Sequence, residues 1–479
     1  MVAKSMGKAW VKRWSPSLED GMGSLISALK ISPHSSIDKL TWNLPPSKSH
    51  AIRWLALAAQ SEQEVTLHGL RNAGQDMVSM RRCLGQMGVQ ITDLDADGQV
   101  LSVSTNHDDQ PAEGSVAWKI QGLGPDGLKP PISVLHAGNS GTALRILMAL
   151  CARFEVPVML DGDASLRSRN HDVMISSLEN VGVKVSYGTG VEGLPLLIEG
   201  PWTPPETLEL DVSTSSQPMT AWHLAAPALP NEMKIHAVGE GVSLRHSELT
   251  KTLCERTGAP ENSAAGELQP WLPVVANDGV HLPLDASMLS FACLAAKVSG
   301  ATVQLNGVPT VEDALGNEVL IELSSSLGLS ITQASIEYIG EAASTEVNLQ
   351  HANDLITPLA ALLALGGGGR IMGASHAAFK ETDRTHGTTA LLAQFGLQST
   401  FENGVLFVEG GQSISQPDGL VQTYGDHRMQ MTALVLAMGC QTTVLVEGSD
   451  LHEVADPEAV QRWKAAGVSI ESVLHEPWQ

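Results

Sequence analysis

The stretch "NSGTALRILMALCA", residues 139–152, sets small and polar residues ahead of a run that is almost wholly apolar. A helix with no polar face has no place at a surface and belongs inside a core. The same unit recurs five times: "KSHAIRWLALAA" from Lys48, "SSQPMTAWHLAAPAL" from Ser215, "DASMLSFACLAAKV" from Asp285, "NDLITPLAALLAL" with Asp354 as its acid, and "DHRMQMTALVLAM" from Asp426. Each runs on into a short β-branched segment such as "EVTLHGL", "TVQLNGV" or "TTVLVEG", then into a second helical stretch. That stretch stops at a glycine every time: Gly88, Gly182, Gly258, Gly328, Gly396 and Gly467. Counted from the lead residue, the glycine falls 40 to 43 positions on. A glycine followed by "VKV", "LSI" or "VSI" is a stop-then-strand signal. Six copies with so small a spread are a repeat architecture: helix, strand, helix, strand, with sheets wrapped around central helices.

The polar residues of each unit share one place, the start of its first helix. Helix starts present free N–H groups and the positive end of the dipole, which suit anions. Lys48, Arg53, Arg145, Arg384 and Arg428 lie at or near such starts, and Arg167 and Arg169 follow "DGDAS". The dense cluster "FKETDRTHG", residues 379–387, read alone, is a solvated helix start with Thr382 as cap. In phase with the other units it reads as one part of a converging anion site.

Bulk properties narrow the field. A formal net charge of −23 argues against nucleic acid and anionic membrane surfaces as partners. Six Phe and three Tyr are too few for stacking platforms on single strands. Small anions remain possible, because a local basic pocket survives inside an acidic envelope. The five cysteines are widely spaced and sit in apolar runs, as free thiols do in a reducing cytosol. No His or Cys spacing implies a metal, and no cofactor is implied. Asp161 and Asp163 read as a turn, and "GGGGR" at 366–370 as a tight connection rather than a nucleotide loop, since no "GK[ST]" follows. Proline breaks the pattern at "LPPS" (44–47) and "HLPLDAS" (281–287), the expected seams.

"LPPSKSHAIR", "GNSGTALR", "SSQPMTA", "FKETDR" and "YGDHRMQM", in this order, resemble the 5-enolpyruvylshikimate-3-phosphate (EPSP) synthase family over about residues 40 to 470. The resemblance implies an α/β fold, a two-domain inside-out α/β barrel in which each domain holds three βαβαββ units. The expected partition is residues 1–36 as an extension without assigned role, 37–46 with 284–479 as a discontinuous first domain, and 47–283 as the second. It further implies a cytoplasmic, monomeric enzyme that moves the enolpyruvyl group of phosphoenolpyruvate to the 5-hydroxyl of shikimate 3-phosphate. Carried over residue by residue, Asp354 resembles the family's proton acceptor and Glu381 its proton donor, with Lys48 touching both substrates. Ser49 and Arg53 correspond to the holders of the shikimate carboxylate. Ser215, Ser216, Gln217, Ser243 and Lys380 correspond to those of shikimate 3-phosphate. Gly141, Arg169, Arg384 and Arg428 correspond to those of phosphoenolpyruvate, with Asn139, His376, Asp285 and His427 nearby.

Three positions depart from the family pattern. His246 in "SLRH" stands where a tyrosine is expected, and His376 where an asparagine is expected. Val454 in "HEVADPEAV" occupies the place of a lysine. That loss supports an alternative, a catalytically silent relative that binds shikimate-type phosphorylated ligands. The sister transferase acting on UDP-N-acetylglucosamine fits less well, because the loop "DGDASLRSRNHD" lacks its cysteine.

Overall fold

A computed structural model describes residues 25–103, 110–188, 190, 192–276 and 278–476. The six lead runs form helices α1 (Lys48–Ala59), α2 (Gly141–Cys151), α3 (Gln217–Ala225), α4 (Leu289–Ser299), α5 (Ile356–Ala364) and α6 (His427–Ala437). Every residue of α5 and α6 is buried, as are the last ten of α1. Two separate apolar cores result. One spans Ala51 to Leu282 around α1–α3; the other joins Leu29–Leu44 to Met288–Ile470 around α4–α6. Burying whole helices in this way supplies most of the hydrophobic driving force, at roughly 25 cal/mol per Å² of apolar surface.

Among the described residues, six small sheets, three per core, wrap these helices. In each, the strand that follows the central helix has one parallel and one antiparallel neighbour. Val158–Asp161, for example, lies parallel to Leu135–His136 and antiparallel to Leu196–Glu199. All six terminal glycines hold positive φ, between 74° and 97°, so each second helical stretch ends in a left-handed residue that a side chain would strain. The fourth unit departs from the expected pattern in one respect. Its second helix shrinks to Val319–Glu322, because Leu315 and Gly316 at positive φ break the turn before it.

The domains exchange strands where the chain crosses. Lys39–Trp42 precedes α1 yet pairs with Thr302–Leu305 after α4; Val280–His281 precedes α4 yet pairs with Glu64–His68 after α1. The two crossing segments run side by side: Pro46 bridges Leu284, Ser47 N donates to Pro283 O (2.8 Å), and Asp285 N donates to Pro45 O (2.8 Å). Of the residues read as an extension, Ile26–Ile31 is instead an inner strand of the sheet that packs on α6. It lies antiparallel to both Val444–Glu447 and Ile470–His475. Its alternating Leu29 and Ile31 supply the buried face. Residues 1–24 lie outside the described residues.

Candidate active site

Helix starts from both domains converge on one cleft of about 290 Å³ between the cores. Lys48, Gly141, Gln217, Asp354 and His427, at the starts of α1, α2, α3, α5 and α6, all line it. Ser49, Arg53, Asn139, Arg169, Ser215, Ser216, Ser243, His376, Lys380, Glu381 and Arg428 complete the expected set on its walls. Asp285 and Arg384 are the exceptions. Asp285 caps the turn at Ala286–Met288, accepting from Ser287 N and Oγ. Arg384 stands behind the wall, donating to Asp426 (2.7 Å), Glu381 (2.6 Å) and Asp354 (2.7 Å), with its guanidinium spent on those three carboxylates. Asp383, not Thr382, caps the helix that Arg384 opens, accepting from Thr385 N and His386 N.

Glycine at 141 has a spatial cause: a Cβ there would lie 2.8 Å from Arg145 Nη1 and 3.2 Å from Arg169 Nη1. The start of α2 is thus left bare between two guanidiniums, a geometry suited to an anion. Arg169 donates to Asn139 (2.8 Å) and reaches Glu381 of the other domain at 3.7 Å. Arg428 donates to Ser287 (2.9 Å) and lies 3.3 Å from Asp354. Arg53 is held by Thr250, Ser49 O, Thr220 and His246 O.

The electrostatics follow from this crowding. Burial would raise the Asp354 carboxyl, but Arg428, Lys380 and Arg384 outweigh it and hold Asp354 well below the usual range. The Glu381 carboxyl is likewise pushed up by burial and pulled further down by Arg384 and Arg169. Burial opposes the charge on Lys48, yet Asp76 and Glu381 raise its pKa on balance. Burial keeps His246 and His376 neutral, at about 3 and about 4, and holds His427 well below its ordinary value. The cleft therefore offers a Lys48 held as a cation, two ionised carboxylates and uncharged imidazoles, while burial lowers the pKa of its second lysine, Lys380.

Three participants were not singled out as site residues from sequence. Asp76 receives Lys48 Nζ at 2.8 Å, Asp426 anchors Arg384, and Asn353 bonds His376. Asp426, as a unit's lead residue, and Asn353, which opens "NDLITPLAALLAL", had a signal; Asp76 meets the cleft by tertiary contact alone. Of the three departures, His246 and His376 line the cleft, whereas no residue of the 451–456 segment does. No group of three or more His, Cys, Asp or Glu among the described residues could hold a metal. No helix among them is long and apolar enough to cross a membrane.

Two three-unit α/β domains whose helix starts gather on a cation-lined cleft present a site suited to small anions. The EPSP synthase (3-phosphoshikimate 1-carboxyvinyltransferase) family model matches residues 35–463, and the chain belongs to that family. Relatives include the 3-phosphoshikimate 1-carboxyvinyltransferases of Methanothermobacter thermautotrophicus, 26% identical over 437 residues (89% of this chain, 96% of that one), and of Bradyrhizobium sp. strain BTAi1, 28% identical over 457 residues (90% and 95%). The EPSP synthase structure of Acinetobacter baumannii superposes with a TM-score of 0.69 at 22% identity, covering 93% of this chain and 100% of that one.

Proposed function

We propose that this cleft transfers the enolpyruvyl group of phosphoenolpyruvate to the 5-hydroxyl of shikimate 3-phosphate, releasing phosphate, in the shikimate pathway to chorismate and the aromatic amino acids. The observation that carries it is the ring of Lys48, Arg169, Lys380 and Arg428, drawn from both domains, around two carboxylates, buried Glu381 and half-buried Asp354. Two polyanionic substrates cannot be brought together without such a ring, and Arg suits bidentate clamping of carboxylate and phosphate.

Ser49, Arg53, Ser215, Ser216, Gln217, Ser243 and Lys380 would hold shikimate 3-phosphate. The bare α2 start at Gly141, with Asn139, Arg169 and Arg428, would hold phosphoenolpyruvate, and Lys48 would touch both. In this reading His376 and His427 support the walls as neutral groups, and Arg384 positions the carboxylates instead of touching substrate. Asp354, ionised, accepts the proton of the attacking hydroxyl as its oxygen bonds to the enol carbon. Glu381 delivers a proton to the methylene carbon, giving a tetrahedral intermediate. Loss of that proton back to Glu381 expels phosphate and restores the double bond, and the hydroxyl proton held by Asp354 leaves with the phosphate. Bound phosphoenolpyruvate sets its own negative charge against Arg169 and Lys48, which offsets their share of the field that depresses Glu381 and favours its protonation against the pull of Arg384, which remains.

Both halves of the cleft come from one chain, which suits a monomer. The free thiols, four of the five buried, suit a cytoplasmic location. The silent-relative reading rests on Val454 alone, and the chemical groups at 48, 354, 381 and 428 all share the cleft. Phosphate release requiring both substrates together is the expected result of a coupled assay. Ligand heats without phosphate release would overturn the proposal.

A further inference from the structure

Gly74 is a glycine without a conformational reason. It caps the helix Gln75–Gln86 at φ −66° and ψ 159°, backbone angles any residue adopts. Ser or Asp at an N-cap would serve the helix as well or better. The three nearest atoms to a Cβ built there belong to the other domain: Val454 O at 2.6 Å, Ala455 Cα at 3.0 Å and Ala455 C at 3.1 Å. The first is about 0.8 Å short of the 3.4 Å at which ordinary contact begins.

Both sides of this contact are stiff and both lead to the cleft. On one side, His452 N donates to Gln430 of α6 (2.8 Å), the helix that opens with His427 and Arg428. Asp456 in the same segment is paired with buried Arg462 (2.8 Å), which also donates to Asn43 O. On the other side, Asp76 stands two residues beyond Gly74 and holds Lys48 at 2.8 Å. The spacing between Lys48 and Arg428 across the cleft is therefore set partly by how closely residue 74 meets the 454–455 backbone. We infer that Gly74 is a positioning residue for the transfer reaction, its missing side chain being the space into which the Val454–Ala455 backbone of the facing domain seats. The inference rests on the proposed function for its chemical readout. It also gives the segment that lacks the family's lysine a task, as a backbone lip that meets the facing helix start.

The test is a size series, Gly74→Ala, Gly74→Ser and Gly74→Leu. Thermal midpoints should stay flat, with Gly74→Ser level or slightly higher because serine caps the helix. Turnover should fall in order of side-chain size, about tenfold to a hundredfold by Gly74→Leu, since displacements near 1 Å cost that much at a reacting centre. Calorimetric affinity for shikimate 3-phosphate alone should hold within a few-fold, because Ser49, Arg53, Ser215–Gln217 and Ser243 share a domain with Gly74 and of its proposed holders Lys380 alone stands across the cleft. Gly74→Leu turning over within twofold of the parent would overturn the inference, as would activity lost only in step with the thermal midpoint. A parent that releases no phosphate would sink the transferase reading instead. Small-angle scattering with shikimate 3-phosphate then decides this one: Gly74→Leu must be more extended than the parent, and equal radii refute it.

Discussion

Asp354→Asn isolates charge from shape at the centre of the cleft. In the parent, Asp354 accepts from Arg384 at 2.7 Å and faces Arg428 at 3.3 Å. An asparagine oxygen can still accept from Arg384, which keeps Asp426 and Glu381, and Arg428 loses its carboxylate but keeps its bond to Ser287, so the fold should survive. What disappears is the proton acceptor. Losing a placed general base costs about 10²- to 10⁴-fold, roughly 3–5 kcal/mol at 1.36 kcal/mol per tenfold. Affinity should move the other way. Removing one negative charge leaves Arg428 and Lys380 less compensated, so substrate anions should bind at least as tightly as in the parent. Phosphate release under saturation measures the first effect, and titration calorimetry with shikimate 3-phosphate the second. Turnover within a few-fold of the parent, or turnover and affinity falling together, would refute the assignment of Asp354 as base rather than ligand.

Glu381→Gln should cost about 10²-fold or more in turnover by removing the proton donor, with shikimate 3-phosphate affinity nearly unchanged; parent-like rates would contradict it. Asp93 is fully buried and bonded to Arg81 at 2.6 and 2.9 Å, so Asp93→Ala should destabilise the fold by about 3–5 kcal/mol, read from denaturant midpoints. Burial holds His223 at about 4 and His171 at about 3. Between pH ~6.5 and ~4 the unfolded chain takes up protons that these folded imidazoles refuse, so stability should fall as pH falls through that window. A flat midpoint from pH 7 to 4.5 would count against it. Val454→Lys, paired with Glu453→Ala to remove a competing carboxylate, should lower the Michaelis constant for phosphoenolpyruvate about tenfold or more if the new ammonium reaches the ligand. Lys464 cannot already fill that role from its exposed place on Ala459–Ala465, so Lys464→Ala should leave the constant unchanged.

The repeat determined the six units of this chain, and the family resemblance their division into two domains. Wholly apolar helices can only be buried, and a glycine at a fixed distance can only end the next helical stretch, so six copies of that grammar specify six units before any contact is known. Cations placed in phase with those units also marked the cleft, because helix starts are where a repeat brings like positions together. Tertiary structure decided what periodicity cannot carry. Ile26–Ile31 joins a sheet whose other strands lie some 400 residues away, a pairing chosen by register and burial and not by local pattern. Arg384 withdraws behind the wall because Asp426, Glu381 and Asp354 meet there from separate segments. Asp76 finds Lys48, and Gly74 finds the 454–455 backbone, only through the approach of surfaces distant in the chain. Such partners leave no periodic trace in the sequence, since each depends on a distance in space that no spacing along the chain encodes.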